Sequence, residues 1–254
     1  MTAQKADILG VPVPNWVAPP SPDQMQWGDE MQGRYVRLEP LKAARHCGDL
    51  FAAFAADAKN QIWDYLPYGP FAKAADLADW MRTTCTKPDP YFFAIIDQAT
   101  HWAVGVASYL RINPDSGSIE VGHINFAPLL QFTTGATEAM YLMMRWAFVA
   151  GYRRYEWKCN ALNLKSRRAA QRLGLSYEGV FRQANITKGR NRDTVWFAAI
   201  DTEWPVLQIA FETWLKPDNF DFAGQQKRSL SEMTDPVLVM HDPTLVPQAK
   251  FRTN

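Results

Sequence analysis

Two stretches of this chain carry residue types whose spacing suits a phosphate-bearing ligand. In the first, the polar run Gln131-Phe132-Thr133-Thr134-Gly135-Ala136 leads into Thr137-Glu138-Ala139. Apolar residues then recur at Met140, Met143, Met144 and Ala147, the spacing of a helix face turned to a core. A helix start exposes backbone N–H groups that hold phosphate, and the Thr134 hydroxyl offers a further contact. In the second, Asn160 to Leu175 reads as a short basic helix with Asn163 and Ser166 near its opening and Arg167, Arg168 and Arg172 along it. The arginines could approach phosphates, but a solvated helix face is the favoured reading for at least two of the three. Asn163 and Ser166 are also both residue types that cap helices. Upstream, Glu120 and His123 sit on an apolar strand, and histidine titrates near neutral pH. Three residues apart on a strand, the two side chains should leave opposite faces.

These residues need a scaffold, and the same stretch predicts one. Ile119–Phe126 reads as a strand, the helix from about residue 137 stops at Gly151, and Tyr155–Asn160 resumes strand character. Strand, crossover helix and strand imply parallel neighbours joined by a right-handed connection. Before them come a strand at Tyr35–Pro40, helices at about 43–57 and 73–86, and an apolar strand at Tyr91–Ile96. Val104–Arg111 and Ile119–Phe126 pair around the turn Asn113–Gly117. Between the two early helices, Trp63, Tyr65, Leu66, Pro67 and Tyr68 form an aromatic loop that reads as substrate wall or as surface packing. A strand at Thr194–Ile200 and a helix at Val206–Leu215 follow.

The chain of 254 residues is long enough for one large domain or two small ones. Hydrophobic residues make up 47% and charged ones 21%, the balance of a soluble globular protein. A formal charge of +1 gives no electrostatic case for nucleic acid or a membrane surface as partner. Cys47, Cys85 and Cys159 are odd in number and far apart, which predicts reduced thiols, a cytoplasmic setting and no metal site. Met1–Trp16 lacks the order of a signal peptide, and no window of ~20 residues is free of charge. Proline-rich residues 1–33 read as an extension from which Trp16 and Trp27 pack on the body, 34–216 as the domain, and 217–254 as a polar tail.

The ordered set of motifs over roughly residues 34–205 resembles the GNAT superfamily of acetyl-CoA-dependent N-acetyltransferases, and within it the ribosomal-protein N-terminal acetyltransferases. Gln131, Ala136, Thr137, Glu138 and Ala139 match its loop and helix start. Asn163, Ser166, Leu173, Gly174, Glu178 and Gly179 match the last helix and the strand after it, and Lys188–Asp193 matches farther on. Thr134 departs from the pattern by standing where the family has its central loop glycine, with Gly135 one place later. The resemblance implies an α/β (α+β) fold: a mixed, mostly antiparallel sheet with flanking helices and a splayed parallel central strand pair.

It also implies acetyl-CoA as cosubstrate, no metal, and a primary amine as acceptor, either a small molecule or a protein N-terminus, with a homodimer left open. Pantetheine would add between the splayed strands, with backbone N–H near Asn125 and Phe126 on the thioester carbonyl. The pyrophosphate would rest on Gln131, Thr133, Thr134, Gly135, Ala136 and Thr137, with Asn163 and Arg168 as further cofactor contacts. Ser166 is the implied proton donor to the leaving thiolate and Glu120 the implied base, although a salt-bridge role suits Glu120 as well. Asn185 occupies a position that is acidic in this branch, which leaves water-relayed deprotonation as the default. The chemistry expected is direct attack without an acyl-enzyme; a non-catalytic acyl-CoA sensor, or an assembly using the two terminal segments for docking, is the alternative.

Overall fold

In the computed structural model, residues 10, 12–13, 15–25 and 31–245 are described; Trp27 lies outside them. The chain runs β1 (Val36–Pro40), α1 (Ala43–Ala55), α2 (Ala74–Thr84), β2 (Tyr91–Asp97), β3 (Ala103–Asn113) and β4 (Ser118–Phe126). It continues with α3 (Thr134–Val149), β5 (Arg154–Asn160), α4 (Leu164–Arg172), β6 (Ser176–Thr187), β7 (Arg190–Ile200), α5 (Trp204–Trp214) and α6 (Leu230–Thr234). One sheet takes the order β1-β2-β3-β4-β5-β7-β6, antiparallel throughout except for β4 and β5.

Alternation along the strands feeds two cores. Phe93 and Ile95 of β2 face α3 and α5, while Phe92, Ala94 and Ile96 face α1 and α2. Covered on both faces, β2 reads as a continuous apolar run. The turn between β6 and β7 places Lys188 and Gly189 at φ 49° and 72°, the geometry of a two-residue hairpin.

The helix ends follow local chemistry. Gly151, at φ 100°, closes α3: the Tyr152 N–H reaches Ala147 O and the Gly151 N–H reaches Phe148 O, a Schellman arrangement. Gly174 does the same for α4 at φ 85°, and a Cβ there would stand 2.3 Å from Leu207 Cδ2. The start of α3 corrects the sequence expectation. The helix begins at Thr134, three residues early, because the Thr133 hydroxyl caps it by accepting from the Ala136 N–H at 3.1 Å. Likewise α5 starts at Trp204, with Pro205 in its first turn rather than before it.

The polar tail docks on the body as far as it is described. Leu230, Thr234 and Asp242 are fully buried. Asp242 takes both Nε and Nη2 of Arg167 at 2.6 Å. At the other end, Trp16 donates from Nε1 to Asp115 O and lies under the Arg153 guanidinium.

Candidate active site

The site follows from where β4 and β5 stop pairing. Their parallel register runs from Ser118↔Arg154 to Val121↔Trp157 and ends there. Beyond it β4 stays with β3 as far as Phe126, and β5 stays with β7 as far as Asn160. A gap therefore opens between Gly122–Phe126 and Lys158–Asn160. Inside β4 the register slips: Ser108 faces Gly122 but Val106 faces Asn125, so one extra residue sits on β4, and His123 takes φ 50°. This is a β-bulge.

The bulge overturns the parity argument for His123. Its ring stacks on Tyr68, with centroids 5.6 Å apart, and meets Phe92, so it shares the face of Glu120 instead of opposing it. Its Nδ1 is 3.1 Å from the Tyr68 hydroxyl. Burial lowers its pKa to about 4, helped by Arg111 and Arg192, so the ring is neutral at physiological pH.

Glu120 is 3% exposed and its Oε2 is crowded with donors: Arg111 Nε at 2.6 Å and Lys158 Nζ at 2.9 Å. Lys158 also reaches Glu156 at 2.8 Å and lies 3.3 Å from the Trp196 ring centroid. Burial pushes the Glu120 carboxyl above its ordinary range, against the pull of Arg111 and Lys158. A carboxylate holding two cations in place is an ion-pair centre first.

On the other face, α4 is opened by Asn163. Its Oδ1 accepts from the Ser166 N–H at 3.1 Å, so Asn163 is the cap and Ser166 stands one turn inside. The Ser166 hydroxyl accepts from Trp157 Nε1 at 2.9 Å. That contact fixes Oγ beside the last paired residue of β5 and leaves its own proton to donate. Cys159 lies next to it, and burial pushes this thiol up to about 11 although the Ser166 hydrogen bond pulls it down. A solvated face holds Lys165 and Arg168 but not the other two arginines of α4. Arg167 is buried against Asp242, and Arg172 donates to Thr137 Oγ1 at 3.0 Å and lies over Trp214. Arg168 is exposed.

The open end of α3 offers the Thr134 and Gly135 amides, since Ala136 N–H is spent on the Thr133 cap. A cavity of about 280 Å³ lined by Arg34, Tyr35, Leu130, Thr133, Thr134 and Gly135 adjoins it. The Thr137 hydroxyl is held by Arg172, and Gln131 Nε2 donates to Phe126 O at 2.9 Å. The Ala127 N–H bonds Val104 O on β3, so by strand alternation the Phe126 amide faces the gap. Glu138 is turned away from the site: its carboxylate takes the N–H groups of Arg34, Tyr35 and Val36, tying β1 to α3.

The aromatic loop closes over the gap on the Glu120 face. Tyr65 donates to Leu162 O at 3.3 Å, and Lys188 from the β6–β7 turn donates to Trp63 O at 2.9 Å. Sequence reasoning missed Tyr68 as the partner of His123, and Arg192 as a cation beside Glu120. Asn185 is exposed on β6, facing Arg192 across the hairpin. Among the described residues no cluster of His, Cys, Asp and Glu fit for a metal is present, and no helix is long and apolar enough to cross a membrane.

Comparison with known proteins supplies independent findings. The family description "Acetyltransferase (GNAT) domain" matches residues 36–176. The chain is similar to the crystal structure of a GCN5-related N-acetyltransferase from Brucella melitensis, at 46% identity and TM-score 0.83, covering 88% of this chain and 100% of that one. A GNAT-family structure from Chromobacterium violaceum is 37% identical, with TM-score 0.69, covering 76% and 94%. The ribosomal-protein acetyltransferase RimL, solved with coenzyme A, shares the fold at 19% identity and TM-score 0.55, covering 66% and 96%. No curated protein matches.

Proposed function

Because this chain belongs to the GNAT acetyltransferase family, we propose that it moves acetyl from acetyl-CoA to a primary amine by direct attack. The observation that carries the reading is the β4–β5 gap with an oriented serine hydroxyl on its rim. Residues 34–216 form the acetyltransferase domain in this reading, braced by the extension and the tail, and the setting is cytoplasmic.

The residues present fit the cofactor. The Phe126 amide faces the gap as a donor for a carbonyl oxygen, and the Thr134 and Gly135 amides at the α3 end suit a pyrophosphate, with the Thr133 cap fixing their direction. Arg168, exposed on α4, and the free amide nitrogen of Asn163 are further contacts. Bound acetyl-CoA supplies an activated thioester. Ser166 holds a proton at Oγ for the departing thiolate, with Trp157 keeping the hydroxyl aimed. Burial raises the thiols of Cys47, Cys85 and Cys159, so none is activated as an acyl carrier.

Deprotonation of the amine rests on the field rather than on one base. Arg111, Lys158 and Arg192 surround the gap and disfavour an ammonium there, so the amine sheds its proton to water. Glu120 holds two of those cations in position.

The test is calorimetric titration and melting with acetyl-CoA, followed by mass-spectrometric detection of acetylated products from an amine panel. Binding that raises the melting temperature, with acetylated product, is the expected result. An unmoved melting curve and no binding heat at millimolar acetyl-CoA would remove the cofactor assignment.

A further inference from the structure

The cofactor and the proton donor leave one side of the gap unexplained. β7 presents Arg192, Thr194 and Trp196 on alternate residues, and the Lys158 ammonium against the Trp196 ring puts them on the Glu120 face. From β4, Asn125 turns to the same face, because its neighbours Ile124 and Phe126 pack into the opposite core. Each of the four carries polar atoms shielded from water with no hydrogen-bond partner: Arg192 Nε, Thr194 Oγ1, Trp196 Nε1, and both Oδ1 and Nδ2 of Asn125. Asn125 is 2% exposed and Thr194 5%. Buried polar atoms are almost always paired, so such a group beside one gap marks a place completed by something else.

Charge narrows what that is. Arg111 and Lys158 are spent on Glu120, and Lys158 and Arg154 on Glu156. Arg192 lies within electrostatic reach of Glu120, His123 and Cys159, yet makes no ion pair among the described residues. Burial lowers its pKa, as expected of a guanidinium without its counter-ion. A planar fork flanked by a hydroxyl and an amide matches a carboxylate. The loop bridges bear on size: Tyr65 to Leu162 and Lys188 to Trp63 tie the aromatic loop across to the turn before α4 and to the β6–β7 turn, which favours a compact ligand.

We propose that the acetyl acceptor is a compact amine bearing a carboxylate, held by the Arg192 guanidinium with Thr194 Oγ1 and the Asn125 amide completing the site. This rests on the acetyl-transfer reading of the same gap. The carboxylate takes no part in the bond change: one N–C bond forms, one C–S bond breaks, the amine loses a proton and the sulfur gains one.

The experiment uses the full chain with acetyl-CoA and three matched sets of acceptors: free amino acids, their amides, and their decarboxylated amines. The free acids should lead in kcat/KM by ~100-fold or more, since a site built around a buried polar partner rejects analogues that lack it. Arg192→Gln should raise KM for the acid and erase that preference with the melting temperature held, and Arg192→Lys should recover part of it. Equal turnover of amides or decarboxylated amines, unchanged in Arg192→Gln, overturns the proposal while leaving acetyl transfer intact, and so does acetylation confined to peptide N-termini. If no amine is acetylated, titration of the same acids followed by tryptophan fluorescence decides separately. Carboxylate-dependent binding lost in Arg192→Gln keeps the site without the acetyltransferase reading, and no binding by any acid overturns it.

Discussion

The two sides of the β4–β5 gap are finished differently. On the α4 side the polar side chains are held in place: Asn163 caps the helix through Oδ1, Trp157 aims Ser166, Arg172 holds Thr137, and Arg167 is locked to Asp242. On the β7 side, Arg192, Thr194, Trp196 and Asn125 keep buried polar atoms unpaired. A saturated network holds a geometry; an unsaturated one carries an energetic debt until a ligand arrives. The α4 side is therefore the fixed frame and the β7 side the receiving one.

That contrast breaks hardest at Arg167 and Asp242, whose side chains are 6% and 0% exposed. Asp242→Ala should cost about 3–5 kcal/mol in urea denaturation, because it strands a buried guanidinium. A loss under ~1 kcal/mol would mean that the tail only leans on α4. On the receiving side, Glu120→Gln tests whether the carboxylate is base or anchor. The expected result is a graded fall in turnover, short of ~10³-fold, with acetyl-CoA affinity kept; a loss beyond that makes Glu120 the base.

The neutral His123 ring gives a pH signature. Its folded pKa is about 4 against an ordinary 6.5, so between those values the unfolded chain binds a proton that the folded chain refuses. Stability should then rise with pH across that window and be lost as pH falls through it. His123→Phe should flatten the dependence by about one proton; denaturation curves at pH 5 and pH 7 that keep the same difference would contradict this. The smallest effect is at the cap. Asn163→Ala should cost ~1 kcal/mol of stability and weaken acetyl-CoA binding, with less damage to turnover.

The sequence carried the scaffold well because its signals are local. Apolar spacing in α3, the stop at Gly151 and the strands around it need only a few neighbours to read. The site was half legible for the same reason: motif residues on α3 and α4 lie close together in the chain. What escaped depends on distant partners or on a single inserted residue. The bulge at His123 swaps its face with no proline or turn cluster to announce it. Asp242 sits 75 residues from Arg167, in a tail whose sparse apolar content hides Leu230, Thr234 and Asp242 as fully buried anchors. The cap of α4 stayed open at the level of sequence because Asn163 and Ser166 are both competent, and only the backbone decides which one accepts the N–H.

The most direct test of the account compares acetyl transfer in wild type and Ser166→Ala, with acetyl-CoA affinity and melting measured on the same samples. Since Asn163 rather than Ser166 caps α4, the variant should fold and bind acetyl-CoA almost as wild type does. Its kcat should fall on the order of 10²-fold or more, the loss expected when a transition-state proton donor is removed. Unchanged turnover in the variant would contradict the role given to Ser166, and a wild type that acetylates no amine would contradict the account as a whole.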